Sequence, residues 1–184
     1  MTSTSTGPVA GPSGIVLPVT AFSRVADRVI SGFGEIASAL WTVLVLVIVT
    51  QVVARYAFGL GSIAMEELQW HLYAIGFMLG ISFTEMRERN VRIDVLAEGW
   101  SQRTRLWVEL FGITGLLLTF SGVIILYAVP FFLTSLQLNE VSAAPGGLPY
   151  RWFLKSFIVT AFVLLALAGV SRLTRVWVAL FGQR

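Results

Sequence analysis

Ile36-Ala-Ser-Ala-Leu-Trp-Thr-Val-Leu-Val-Leu-Val-Ile-Val-Thr-Gln-Val-Val-Ala-Arg55 carries no charge until its last residue. At about 1.5 Å of rise per residue, a helix of this length crosses close to 30 Å of hydrocarbon. The stretch therefore reads as a transmembrane helix. Three more apolar stretches follow: Leu68 to Thr84, with His71 as its titratable group near one end, Leu110 to Asn139, and Ser156 to Ser171, which extends backward through Trp152, Phe153 and Leu154. The third is longer than one crossing needs, and Pro130 is placed to end or bend its helix.

The sequence thus predicts an all-α membrane protein with four transmembrane helices over about 36–56, 65–86, 106–129 and 150–171. Composition agrees: of 184 residues 56% are hydrophobic and 12% charged, with a mean hydropathy of +0.80. Soluble domains carry about twice that share of charge. No cysteine is present, which excludes disulfide scaffolds, thiolate metal sites, Fe–S clusters and cysteine nucleophiles. The net charge of +3 does not point to nucleic acid, because the arginines sit at the edges of apolar blocks rather than along one polar face.

Lysine and arginine counts in the short flanks set the orientation. Arg24, Arg28, Arg87, Arg89, Arg92, Arg103, Arg105, Arg172, Arg175 and Arg184 fall on one side, and Arg55, Arg151 and Lys155 on the other. Both termini are expected to be cytoplasmic. Residues 1–18, rich in Ser, Thr, Gly and Pro and without charge, read as a disordered cytoplasmic tail. Over 19–35, Val19, Phe22, Val25, Val29 and Phe33 recur at helical steps opposite Arg24, Asp27, Arg28, Ser31 and Glu35. This is an amphipathic helix suited to the interface, or an extension of the first span into water. Residues 36–172 form the membrane domain and 173–184 a cytoplasmic tail. Trp70 and Trp152 fall at the outer boundary and Trp100, Trp107 and Trp177 at the inner one, as interface anchors do.

The span centres hold no ionisable residue, whereas a chain that moves a charged species by itself needs one partway through the membrane. A metal site would have to combine Glu66, Glu67 and His71, yet Glu66 lies on a different azimuth from the other two, so no metal or catalytic residue is assigned. One histidine and no cysteine supply haem poorly, which disfavours a redox membrane anchor. A small autonomous exporter would lack its embedded acid. Small residues are more telling. Gly76, Gly80 and Thr84 repeat along the second span, and Gly115, Thr119 and Gly122 along the third, where close helix approach is possible within the chain or with another one.

At the outer face Pro145-Gly146-Gly147 leads to Pro149, a favoured first helical residue, and places Arg151 and Lys155 one turn apart at the start of the fourth span. Positive charge there opposes the helix macrodipole. A periplasmic cluster is expected in which Arg151 or Lys155 pairs with Glu66, Glu67 or Glu140, or with an acidic group of a partner.

Arg55-Tyr56-Ala57-Phe58, then Glu66-Glu67-Leu68-Gln69-Trp70-His71, then Asn90-Val91-Arg92-Ile93-Asp94-Val95 resemble the small membrane subunit of tripartite ATP-independent periplasmic (TRAP) transporters, the DctQ family. The segment Glu140-Val141-Ser142, Pro145-Gly146-Gly147-Leu148-Pro149, Arg151-Trp152 and Lys155 is similar to a mannitol/chloroaromatic-type branch. The resemblance covers roughly Ala54 to Arg172. It departs at Asn90, where the family usually has histidine. The resemblance implies a bacterial inner-membrane importer of a small organic solute, often a carboxylate, driven by a Na+ or H+ gradient. A periplasmic binding protein captures the solute, and a large membrane subunit carries the ion sites. The small subunit binds no cofactor itself and supports the large one and the docking of the binding protein. It also implies roles for Glu66, Glu67 and Trp70 at the outer end of the second span, and for Arg92 and Asp94 in the cytoplasmic link.

Overall fold

A computed structural model describes residues 17–87 and 99–182 of the chain. Among them every regular element is helical. Helix α1 (Ala21–Phe58) opens on a reciprocal cap: Ser23 N–H donates to Thr20 Oγ1 and Thr20 N–H to Ser23 Oγ, both at 3.1 Å. It ends at Gly59, whose φ of 66° lets Leu60 N–H reach the Ala54 carbonyl at 3.0 Å. The expected division between an interfacial helix over 19–35 and a span from 36 is not made by the backbone. Nothing interrupts it, since no proline lies between Pro18 and Pro130, and Ala26, Ile30, Gly34 and Ala37 form one buried stripe across the boundary. At 38 residues, α1 is about 57 Å long.

Helix α2 (Ile63–Met86) is capped by Ser62, which accepts from Met65 N–H at 3.4 Å, and has Glu66 in its first turn. Helix α3 (Gln102–Phe111), a π-helical segment (Gly112–Leu118) and α4 (Thr119–Gln137) then run on as one rod. Its register is loosened at the π segment, where Thr119 Oγ1 donates to the Thr114 carbonyl at 3.1 Å. Pro130 lies inside α4 and does not end it, contrary to the expected limit near 129. In apolar surroundings a helix that stopped there would strand several backbone groups, a larger loss than the one bond a proline removes. The stop comes instead at Asn139, whose φ is 45°. Asn139 N–H meets the Leu136 carbonyl and Glu140 N–H the Ser135 carbonyl, each at 3.1 Å, the pairing of a Schellman cap.

Helix α5 (Arg151–Phe181) starts after Tyr150, itself at a φ of 63°, so Pro149 precedes the first turn rather than opening it. Its far end passes the expected limit at 171 by ten residues. Leu173, Val176 and Leu180 explain the extension, because they pack with Leu106, Ile113 and Leu17 in a second core. Leu17, placed by sequence in the tail, is 5% exposed. Residues 1–16 of that tail lie outside the described residues.

The main core joins Ile30 and Ala37 of α1, Ile75 and Leu79 of α2, and Leu164 and Ala168 of α5. Helix α5 touches every other helix, whereas α4 packs on α5 and, among the described residues, not on α1 or α2. The array is open rather than a closed bundle. Large apolar side chains point outward, with Leu46, Leu116 and Leu126 at least 62% exposed, which inverts the pattern of a water-soluble fold. Three helical stretches are long and apolar enough to cross a membrane: Ala21–Phe58, Gln102–Gln137 and Arg151–Phe181. Helix α2 is not among them; its opening Glu66, Glu67, Gln69 and His71 lower its apolar character.

Candidate functional site

The C-terminus of α1, the N-termini of α2 and α5, and the loop over 138–150 share one end of the array. Four of the five residues expected to cluster at this end meet in or around the loop. Glu67 of α2 accepts from the Ser142 hydroxyl and, at 2.6 Å, from Leu148 N–H. Gly147 makes this seat possible: a Cβ there would lie 2.6 Å from Ser142 Oγ and 2.8 Å from Glu67 Oε2. The Ser142 N–H closes the loop on the Leu148 carbonyl at 3.1 Å. Glu140 accepts from the Ser135 hydroxyl at 2.7 Å and from the Lys155 ammonium. The ammonium also lies 3.9 Å from the centre of the Phe131 ring. These bonds, Lys155 first and Ser135 second, hold the Glu140 carboxyl below the usual glutamate range.

The dipole conflict at the start of α5 is thereby relieved. Glu140 supplies its carbonyl to Arg151 N–H at 3.0 Å and its carboxylate to Lys155. Arg151, with Val141 and Tyr150, stays exposed on the surface of this loop. Glu66 goes elsewhere: its carboxylate is 3.7 Å from Arg55 of α1. Sequence reasoning did not pair these two, although an acid one turn into α2 and a base one turn from the end of α1, joined by a four-residue connection, was a usable signal. His71 turns its Nδ1 to the Glu67 carbonyl at 2.6 Å, within its own helix.

The small-residue stripes separate. Gly76 is buried against the Trp41 indole, 3.4 Å from where its Cβ would be, whereas Gly80, Gly115 and Gly122 have nothing within 4 Å of that position. Thr84 caps the Gly80 carbonyl at 2.8 Å, and Thr119 is exposed. The close approaches within the chain are made at Gly34, under the Phe83 ring, and at Gly169, under Leu117 and Leu118. Sequence spacing did not single these out, since neither belongs to a repeat. The Gly115–Gly122 stripe is left on an open face.

At the opposite end a polar network escaped the sequence reading. Arg172 of α5 bonds to Glu109 of α3, and Arg175 of α5 to Asp27 of α1. Ser171 Oγ donates to Asp27 at 3.2 Å, and Thr20 and Thr174 share a hydroxyl contact at 3.1 Å. Arg172 and Arg175 read from sequence as flanking charges; the structure turns both inward. Trp100, Trp107 and Trp177 lie toward this end, and Trp70 and Trp152 toward the loop end, with Trp70 72% exposed. Arg92, Asp94 and the link around them lie outside the described residues.

An apolar helical array with ion pairs at both ends suits a membrane component, and comparison with known families decides which. The family model for tripartite ATP-independent periplasmic transporters, DctQ component, matches residues 44–179, about three quarters of the chain. The chain belongs to this family. No curated protein and no solved structure matches it. As a DctQ component it is part of a membrane transporter and not an enzyme, which sets aside the redox-anchor reading. The matched range takes in the pinned loop with Glu67, Glu140, Arg151 and Lys155.

Proposed function

We propose that this DctQ chain is the non-translocating scaffold of its transporter. It holds the large membrane subunit through its open apolar faces and presents the loop over 138–150 to the periplasmic binding protein. In this reading all four long helices cross the inner membrane of a bacterium, α2 included, and both termini are cytoplasmic. The arginine count favours that orientation. Helix α2 has 24 residues, about 36 Å, and α1 and α5 pack against it, which makes its polar first turns tolerable. The transporter imports a small organic solute, an organic carboxylate by family resemblance, using an ion gradient. The solute and the coupling ion, Na+ or H+, are handled by the large subunit.

One observation carries this reading. Residues 36–54, 110–139 and 156–171 hold no Asp, Glu, Lys, Arg or His, while Glu67 and Glu140 spend their carboxylates on fixing a loop. A midplane solute or ion site would need such groups for itself.

The test is reconstitution. Liposomes with this chain alone and its binding protein accumulate no solute, and addition of the large subunit restores uptake. Glu67→Gln with Glu140→Gln leaves the two membrane subunits co-purifying and lowers uptake by weakening binding-protein docking. Accumulation by this chain alone would overturn the proposal, and so would a double variant with unchanged docking and uptake.

A further inference from the structure

Between the loop-end halves of α1 and α2 lies a groove of about 500 Å3, lined by Leu44, Ile48 and Val52 at its deep end and by Arg55, Glu66 and Trp70 at its mouth. We propose that this groove holds one zwitterionic aminophospholipid of the outer leaflet. The phosphate would sit on Arg55, the ammonium on Glu66, and one acyl chain along Leu44, Ile48 and Val52.

The argument rests on charge and on depth. Arg55 and Glu66 face each other at 3.7 Å with their side chains 64% and 51% exposed. Such a pair is open enough for a headgroup to insert its own phosphate and ammonium in complementary order. An anionic headgroup without the ammonium would leave Glu66 facing negative charge. One turn deeper, Gln51 is 8% exposed and its carbonyl oxygen takes the Gln69 amide, which leaves the Gln51 amide hydrogens as donors for an ester carbonyl. Four residues separate Arg55 from Gln51, about 6 Å along the axis. The headgroup layer of a leaflet is about 5–7 Å thick. From Gln51 to Leu44 is about 10 Å more, within the roughly 15 Å of a leaflet's hydrocarbon. Tyr56 and Trp70, 83% and 72% exposed, stand at the level where aromatic side chains meet headgroups.

The inference rests on the four-span reading, which is checked separately. The chain has no cysteine, so Gly61→Cys, in the open turn between α1 and α2, is labelled from outside in intact cells by a membrane-impermeant maleimide if that turn is periplasmic. For the lipid, the full chain purified in mild detergent is titrated with phosphatidylethanolamine and with phosphatidylglycerol and followed by native mass spectrometry. The expected result is retention of the ethanolamine lipid about tenfold better. Glu66→Gln removes the preference, and Arg55→Ala weakens both lipids. A phosphatidylethanolamine with a diazirine on its acyl chain forms adducts at Leu44, Ile48 or Val52. Equal retention of the two lipids by the wild-type chain would overturn the proposal. Adducts confined to other helices would do so too, as would loss of groove adducts on co-purification with the large subunit, which would give the groove to a protein. Labelling at Gly61→Cys together with any of these outcomes refutes the lipid site and leaves the topology standing.

Discussion

Arg172 of α5 is bonded to Glu109 of α3 with the two side chains 7% and 13% exposed. A charge pair this far withdrawn is sensitive to the loss of one member, because the other is left with its desolvation uncompensated. Glu109→Ala is expected to lower the stability of the detergent-solubilised chain by about 3 kcal/mol. The double change Glu109→Met with Arg172→Met should recover most of that loss. Thermal unfolding of the three proteins followed by circular dichroism gives the comparison, and a double variant weaker than the single one would refute it.

The glycines make a second contrast. Gly34→Leu drives a side chain into the Phe83 ring, and Gly169→Leu drives one into Leu117 and Leu118. Each should cost about 1–3 kcal/mol through overpacking. Gly115→Leu and Gly122→Leu meet no atom within 4 Å of the new Cβ and should leave the isolated chain as stable as the parent. If their face receives the large subunit, the same two changes reduce co-purification with it. Melting temperature and pull-down yield, measured on one set of variants, separate internal from external packing.

Asn139 ends α4 at a φ of 45°. Asn139→Gly should be nearly neutral, since glycine takes the left-handed conformation freely. Asn139→Val should cost about 1–2 kcal/mol and loosen the adjoining Glu140–Lys155 pair. Hydrogen exchange at the Glu140 and Arg151 amides would report the loosening. Equal protection in the two variants would show that the cap does not hold the loop.

Acid should weaken the loop in a defined way. The Glu140 carboxyl titrates below 4.5 in the folded chain, because the Lys155 ammonium and then the Ser135 hydroxyl bond its ionised form. The folded state therefore binds fewer protons than the unfolded state once pH falls to this region. The contribution is complete above pH 4.5 and is lost as pH drops through the depressed value. Melting temperature measured from pH 7 to pH 3 should fall less steeply at its acid end for Glu140→Gln than for the parent. Parallel curves would remove Glu140 from the account.

The helices were legible in the sequence because length and apolar run suffice to place them. Their ends were not. Pro130 was weighted as a breaker and Pro149 as a first helical residue, yet the structure passes through the one and begins after the other, with Asn139 and Tyr150 at positive φ making the actual stop and start. Caps at Thr20, Ser62 and Ser101 were readable as Ser or Thr ahead of a helix but were not used. At the loop end, a dipole argument on Arg151 and Lys155 sufficed to expect a glutamate partner. Which glutamate it was depended on how the loop folds back, and spacing does not encode that. The pairs at Asp27 and Glu109 were missed for a related reason: a positive-inside count treats each arginine as a flank charge and is blind to its azimuth.

Because α4 rests on α5 alone while α1 and α2 lean on the other side of the same helix, α5 works as an axle with one arm to either side. A push applied to the outboard rod reaches the α1–α2 pair through α5 itself, through the loop strapped to Glu67, and, at the far end, through Leu17 ahead of α1, which packs with Leu106 and Ile113. Cutting the strap would leave the loop end of that rod held to the pair by the shaft alone.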